Sequence, residues 1–279
     1  DPGGNRIFAT IWDGGGTDTY DLSAYADDLD LDLSPGEHSL FNSTQQASLG
    51  NGNSARGNIF NALLHDGDTR SLIENAIGGS GDDTISGNQT GNDLAGGGGS
   101  DTINGAQGSD ELTGGSDNDL LIGGSGNDAF RYATASSVGI DTLRGQAGSD
   151  KILVDGSSTF NLGSRSVQIS GIEEIEFTGA GAGATLILNA NATDDSGELV
   201  NTVIDGWAPA GAETIRLIGG PVGNIDLSGW SFQDWHEGQN DVVEIVGDTQ
   251  FESIISTSSA DSVSGNVGND TLDGLGGDD

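Results

Sequence analysis

From Gly78 to Arg131 one apolar residue recurs at every ninth position, without a gap, through six successive phrases. They read GGSGDDTIS, GNQTGNDLA, GGGGSDTIN, GAQGSDELT, GGSDNDLLI and GGSGNDAFR. The eighth position is always apolar (Ile85, Leu94, Ile103, Leu112, Leu121, Phe130), and the first is always glycine (Gly78, Gly87, Gly96, Gly105, Gly114, Gly123). The sixth carries Asp83, Asn92, Asp101, Asp110, Asp119 and Asp128. A polar-apolar-polar ending predicts a three-residue strand pointing one side chain inward. The six residues before it suit a tight turn, because glycine allows left-handed backbone and close approach. One apolar side chain in nine residues cannot bury itself alone. Stacked copies can, so the pattern predicts a solenoid with two phrases per coil and turns on opposite edges.

The same phase recurs outside this block. Asp141, Leu143, Asp150 and Ile152 extend it after a break at residues 132–135. Near the start, DGGGTDTYD puts Asp18 and Tyr20 at positions six and eight. Near the end, STSSADSVS and GNVGNDTLD supply Asp261, Val263, Asp270 and Leu272, and Asp279 would be position six of a further phrase. Between these blocks the phase is lost, but short β-type runs such as IEEIEF, TLILNA, ETIRLIGG and DVVEIVGD persist between Gly, Asn, Asp and Pro. The expected fold is all-β: a parallel β-roll or β-solenoid with calcium-binding nonapeptide turns, interrupted by a β-rich spacer. Its expected segments are an entry segment (1–77), a roll (78–155), a spacer (156–255) and the start of a second repeat block (256–279). A solenoid continuing through the spacer is the preferred expectation; a small sandwich is the alternative.

Charge turns this architecture into a chemical problem. The chain has 44 acidic residues against 8 Lys and Arg, a formal net charge of −36. Phosphate-bearing partners and anionic membrane surfaces would be repelled. Aspartates stacked turn over turn repel each other unless cations lie between them. Carboxylates and backbone carbonyls are the oxygen ligands that Ca²⁺ prefers, and glycine leaves its carbonyl uncovered. Repeats of this type are associated with calcium. Several Ca²⁺ ions are therefore the expected cofactor. The candidate ligating residues are Asp18, Gly78, Gly81, Asp83, Gly96, Gly99, Asp101, Gly105, Gly108, Asp110, Gly114, Asp119, Gly123, Gly126, Asp128, Asp141, Asp150, Asp261 and Asp270. Asp83, Asp101 and Asp119 should share one edge, and Asn92, Asp110 and Asp128 the other. Asn92 is neutral and Asp117 replaces the glycine of position four, so those turns are expected to bind calcium weakly or differently. A flexible linker needs no such phase.

Other chemistry is thinly represented. Cysteine is absent, which excludes disulfides and thiol catalysis. No apolar run is long enough for a membrane span, and no basic-plus-apolar leader begins the sequence. The first residue is not Met and the last six, GLGGDD, stop within a phrase, so a portion of a longer polypeptide is expected. Trp207, Trp230 and Trp235 raise carbohydrate stacking, against burial in the core. Glu173, Glu174 and Glu176 raise paired-carboxylate chemistry, against a solvated strand face. His65 in LLHDGD reads as a surface or loop residue.

The repeats resemble the RTX (repeats-in-toxin) proteins of bacteria. IFATIWDGGGTDTYDLSAY (Ile7–Tyr25) resembles the entry to the C-terminal domain of serralysin-type metalloproteases. IENAIGGSGDDTISGN (Ile73–Asn88) resembles the start of its roll, and NDAFRY (Asn127–Tyr132) its exit. The resemblance spans about residues 5–155. It implies a calcium-loaded parallel β-roll, secreted without an N-terminal signal peptide and folding outside the cell. The zinc motif HExxH of those proteases is missing: the histidines are His38, His65 and His236, and none forms it. The chain is therefore expected to be a non-catalytic, calcium-dependent scaffold module. The alternatives are the C-terminal part of a serralysin-like zinc protease, or a surface-layer, filament or adhesin subunit that self-associates.

Overall fold

The computed structural model describes residues 6–133, 139, 141–155, 159–162, 169–178, 184–189, 202–205, 214–218, 224–233, 241–246, 253–259, 261–266 and 270–276. They belong to two compact units, Asp1–Ala129 and Phe130–Asp279. Among the described residues regular structure is β-strand, apart from two 3₁₀ turns at Ser43–Gln45 and Thr69–Ser71.

In the first unit the nonapeptides wind as expected. Strands Thr84–Ser86, Thr102–Gln107 and Leu120–Ser125 pair in parallel on one side, and Asp93–Gly98 pairs with Glu111–Ser116 on the other. Equivalent residues of successive coils are 18 apart. The strands are longer than the repeat suggests. Thr102–Gln107 takes the last three positions of one phrase and the first three of the next. Alternation along such a strand sends positions six, eight and one inward together: Asp101, Ile103 and Gly105 are all buried. Ile85, Leu94, Ile103 and Leu112 form the narrow core, each completely buried.

The entry segment supplies coils beneath the repeats. Thr19–Asp21 pairs with Asn75–Ile77, which pairs with Asp93–Gly98, so Tyr20, Ala76 and Leu94 lie in register. Asp30–Asp32 similarly underlies Thr84–Ser86, with Leu31 beneath Ile85. Part of the segment departs from a solenoid. Ile59–Asn61 pairs in parallel with Ala9–Ile11 but antiparallel with His38–Ser39, and Ser48–Gly50 with Asn53–Ser54 forms an antiparallel hairpin. Asn61 ties this lobe to the coils: it accepts from the Tyr20 hydroxyl and donates to the carbonyls of Asp32 and Ser34.

The second unit is also built of parallel ladders. Lys151–Asp155, Glu174–Thr178, Val203–Asp205 and Ser231–Gln233 form one ladder. Thr159–Leu162, Thr185–Asn189, Thr214–Ile218, Val242–Val246 and Asp261–Ser264 form another. Asn224–Asp226, Ser253–Ile255 and Thr271–Asp273 form a third. Parallel ladders exclude the sandwich, whose strands are antiparallel. The spacer coils are longer than 18 residues, with Thr185 opposite Thr214; this is why the nonapeptide phase disappears while strand patterning survives. Trp230 is buried, as the core reading requires, whereas Trp207, Trp235, His236 and Asp279 lie outside the described residues. Glu174 and Glu176 share an outward face, where Glu176 pairs with Lys151 at 2.5 Å. Among the described residues no helix is long and apolar enough to cross a membrane.

A core one residue wide should be sensitive to truncation. Ile103→Ala is expected to cost about 2–5 kcal/mol at saturating calcium, whereas truncating its half-buried neighbour Thr102 should cost far less. Urea midpoints of the two variants check this.

Candidate calcium turns

In the four turns from Gly96 to Arg131 the backbone has one shape. Positions two and four are left-handed, as at Gly97 (φ 108°) and Gly99 (φ 99°). Ala106 and Asp117 adopt the same region without being glycine, at φ 76° and 75°. The departure at Asp117 therefore leaves the local fold intact. The first coil differs: Gly79 and Gly81 are not left-handed.

Position one has another reason to be glycine. A Cβ on Gly96 would collide with Oδ2 of Asp101 and lie 2.7 Å from the carbonyl oxygen of Gly114 in the next coil. One on Gly105 would collide with Oδ2 of Asp110 and lie 2.6 Å from the Gly123 oxygen. The missing side chain thus leaves a cradle where a carboxylate of one coil and a carbonyl of the next converge. Gly78, Gly114 and Gly123 hold the same relation to Asp83, Asp119 and Asp128, as do Gly145 to Asp150 and Gly265 to Asp270. Positions two and four add carbonyls: a Cβ on Gly97 would strike the Gly79 oxygen, and one on Gly99 the Gly81 oxygen. Gly108 and Gly126 stack likewise, with the Gly108 oxygen against Gly126.

The carboxylates themselves form ladders. The Asp83 N–H donates to Asp101 Oδ1 (2.8 Å) and the Asp101 N–H to Asp119 Oδ1 (2.9 Å). On the other edge Asn92 donates to Asp110 (2.7 Å) and Asp110 to Asp128 (2.9 Å). The two edges are those expected from alternate phrases. The second oxygen is the informative one: Oδ2 of Asp101 and of Asp110 is buried with no hydrogen-bond donor. Burial pushes both carboxyls up to about 7, against the lowering effect of the N–H each accepts. The Asp83 charge raises Asp101 further, and the Asp128 charge raises Asp110.

An oxygen-only cradle with an undonated buried carboxylate oxygen fits a hard cation. Ca²⁺ takes six to eight oxygens at about 2.3–2.6 Å. Among the described residues no three acidic or histidine side chains converge on a point, so most ligands at such a gap would be backbone carbonyls. Only left-handed, glycine-rich turns can deliver that many.

The remaining candidates fall into distinct settings. Asp18 lies half-buried beside Asp13, and its carboxyl is raised by desolvation and by the Asp13 charge; its N–H donates to Glu74. Asp83 is satisfied by two N–H groups, from Leu29 and Gly79. In the second unit Asp141 accepts from the Tyr132 hydroxyl (3.0 Å), and the Asp150 N–H donates to Glu173 (2.8 Å). Glu173 there fills the role that position-six aspartate fills elsewhere, although its spacing from Asp150 hides this in the sequence. Asn92 also has an unforeseen role. Its Oδ1 accepts from the Asn88 N–H, and its Nδ2 donates to the Glu74 carbonyl (2.7 Å). The coil beneath offers an acceptor instead of an N–H, and asparagine is the isostere of aspartate that can donate to it. His65 is exposed, as read from the sequence.

Comparison with known proteins agrees with this geometry. The family described as Peptidase M10 serralysin C terminal matches residues 3–227. The chain belongs to this family. Residues 246–279 match the RTX calcium-binding nonapeptide repeat, so calcium is the cofactor of the repeats in this serralysin C-terminal chain. Relatives include "Serralysin" of Photorhabdus laumondii and of Photorhabdus luminescens, each 36% identical over 90 residues. "Metalloprotease AprA" of Pseudomonas entomophila is 34% identical over 90 residues. Each alignment takes in 32% of this chain and 15% of the relative, so the match spans a small part of those proteins' length.

Two outcomes follow. Gly105→Ala should raise the calcium midpoint about tenfold or more, since overpacking costs ~1–3 kcal/mol; a circular-dichroism titration checks it. The second concerns pH. Asp101 and Asp110 have folded values of about 7, above the ordinary 3.8. Below 3.8 both states bind the proton and no penalty exists. As pH rises toward 7 the unfolded chain releases its protons first, and the calcium-free fold is progressively destabilised. In calcium-depleted buffer β content should therefore be higher at pH 5 than at pH 8.

Proposed function

We propose that this chain is the calcium-folded, non-catalytic C-terminal module of a secreted metalloprotease-like protein, acting as a rigid scaffold outside the cell. The observation that carries the reading is the buried, undonated Oδ2 of Asp101 and Asp110 facing carbonyls of an adjacent coil. Asp101, Asp110, Asp119, Asp128, Asp150 and Asp270 would provide carboxylates, and turn glycines carbonyls, whereas Asp83 already accepts from two N–H groups. At low calcium the undonated carboxylates and the thin core favour the unfolded chain. At extracellular calcium, where such modules bind at about 10⁻⁴–10⁻³ M, binding to the folded state alone pulls the equilibrium over. A chain built this way stays unfolded inside the cell and sets only after export. The sequence has no HExxH, and chemistry would reside elsewhere in the parent protein.

A second reading, as a unit of a surface assembly, is favoured by the RTX match beyond the spacer, at residues 246–279. Many further alternating blocks beyond Asp279 would favour it; an HExxH before Asp1 would favour the protease parent.

Circular dichroism should change from coil-like to β-like as calcium is added and revert with chelator; an unchanged spectrum in excess chelator defeats the proposal. Asp101→Ala should raise the midpoint strongly. Asn92→Asp should also raise it, because a carboxylate oxygen would then face the Glu74 carbonyl. The purified chain supplied with zinc should leave casein uncleaved.

A further inference from the structure

The repeat phase places Asp261 at position six of STSSADSVS, but its surroundings differ from those of Asp101. Position one is Ser256, not glycine. Its hydroxyl donates to Asp261 Oδ2 at 2.6 Å, from the place that the glycine cradle leaves open elsewhere. The Thr257 N–H donates to the same oxygen (2.9 Å), and the Thr257 hydroxyl reaches both carboxylate oxygens at 3.0 Å. Thr257 Oγ1 in turn accepts from the Ser259 N–H (3.1 Å). Ser256, Thr257, Ser259 and Asp261 are all buried, so these bonds act without competing water.

The coil below supports the same conclusion. Asp261 lies in register over Val243, which is completely buried. The residue in register beneath Asp261 is thus apolar, whereas Asp101 has the aspartate Asp83 in the coil beneath it. Backbone shape agrees as well. Thr257 at position two is not left-handed, and its N–H turns toward position six. The first coil of the other block does this too, with Gly79 donating to Asp83 at 2.7 Å and Asn88 to Asn92 at 2.8 Å. At Gly97 and Ala106 position two is left-handed, and Oδ2 of Asp101 and of Asp110 has no donor. In the phrase after Asp261, Gly265 restores the position-one glycine, with Asp270 packed over it.

We propose that Ser256–Asp261 is an ion-free starter turn. The Ser256 hydroxyl and the two donors of Thr257 do for Asp261 what calcium does for Asp101. Ser256 and Thr257 thereby determine where the second calcium ladder begins. This rests on the calcium reading above, and it removes Asp261 from the ligands that the repeat phase nominates. The turn joins the spacer coils to the second repeat block without leaving Asp261 dependent on an ion at the junction.

The test is a count of bound calcium on the full chain by equilibrium dialysis at saturation, for wild type, Asp101→Asn and Asp261→Asn. Asp101→Asn should lose at least one ion. Asp261→Asn should keep the wild-type count, while its urea midpoint at saturating calcium falls. Loss of an ion in Asp261→Asn overturns the proposal and leaves the calcium reading intact. A wild-type chain that binds no calcium defeats that reading instead. If Asp261→Asn does not fold, crystals of the calcium-loaded wild-type chain decide: an ion within coordination distance of an Asp261 carboxylate oxygen overturns the proposal, and ions at Asp101 with none at Asp261 support it.

Discussion

Everything in the repeat region depends on an aspartate carboxylate that points into the coil. Alternation leaves no other choice: if position eight is to reach the core, positions six and one must face the same way. The carboxylate therefore sits in a buried space and must be satisfied there. One oxygen takes the N–H of the equivalent residue in the coil beneath, as Asp101 does from Asp83. The other, in Asp101 and Asp110, has no donor. Position one must be glycine so that this oxygen and a neighbouring carbonyl fit. Positions two and four must be left-handed so that carbonyls face the gap. Each feature of the nonapeptide answers a demand created by the inward aspartate.

The same demand is met differently where coils begin or end. Asn92 supplies a donor because the Glu74 carbonyl lies below it. Glu173 reaches the Asp150 N–H where the repeat gives out. Ser256 and Thr257 surround Asp261 with donors. These are ways of matching hydrogen-bond polarity between unlike coils. They explain why departures from the consensus cluster at block boundaries.

Function then follows from energetics more than from a pocket. A core of one apolar side chain per phrase is too thin to outweigh chain entropy together with a file of buried carboxylates. Calcium, the cofactor of the repeats, is a cation that can supply the missing attraction.

Much of this was legible in the sequence. The period of nine, the invariant glycine and the single apolar position required stacked parallel coils, because no other arrangement buries those residues. Ile103 over Ile85, and Asp101 beside Asp83, follow from phase alone. The cation class also follows, since only oxygen ligands are present in number. What only the tertiary structure decided was hydrogen-bond polarity between coils. Whether a position-six side chain meets an N–H or a carbonyl depends on the coil below, and that coil can be distant in sequence. Leu29 serves Asp83 across 54 residues. The phase could not show that Asn92 needed a donor, that Asp261 was already satisfied, or that Glu173 stood in for an aspartate. The antiparallel lobe around His38–Ser39 was equally hidden, because its strands of two or three residues carry too little pattern to announce a partner.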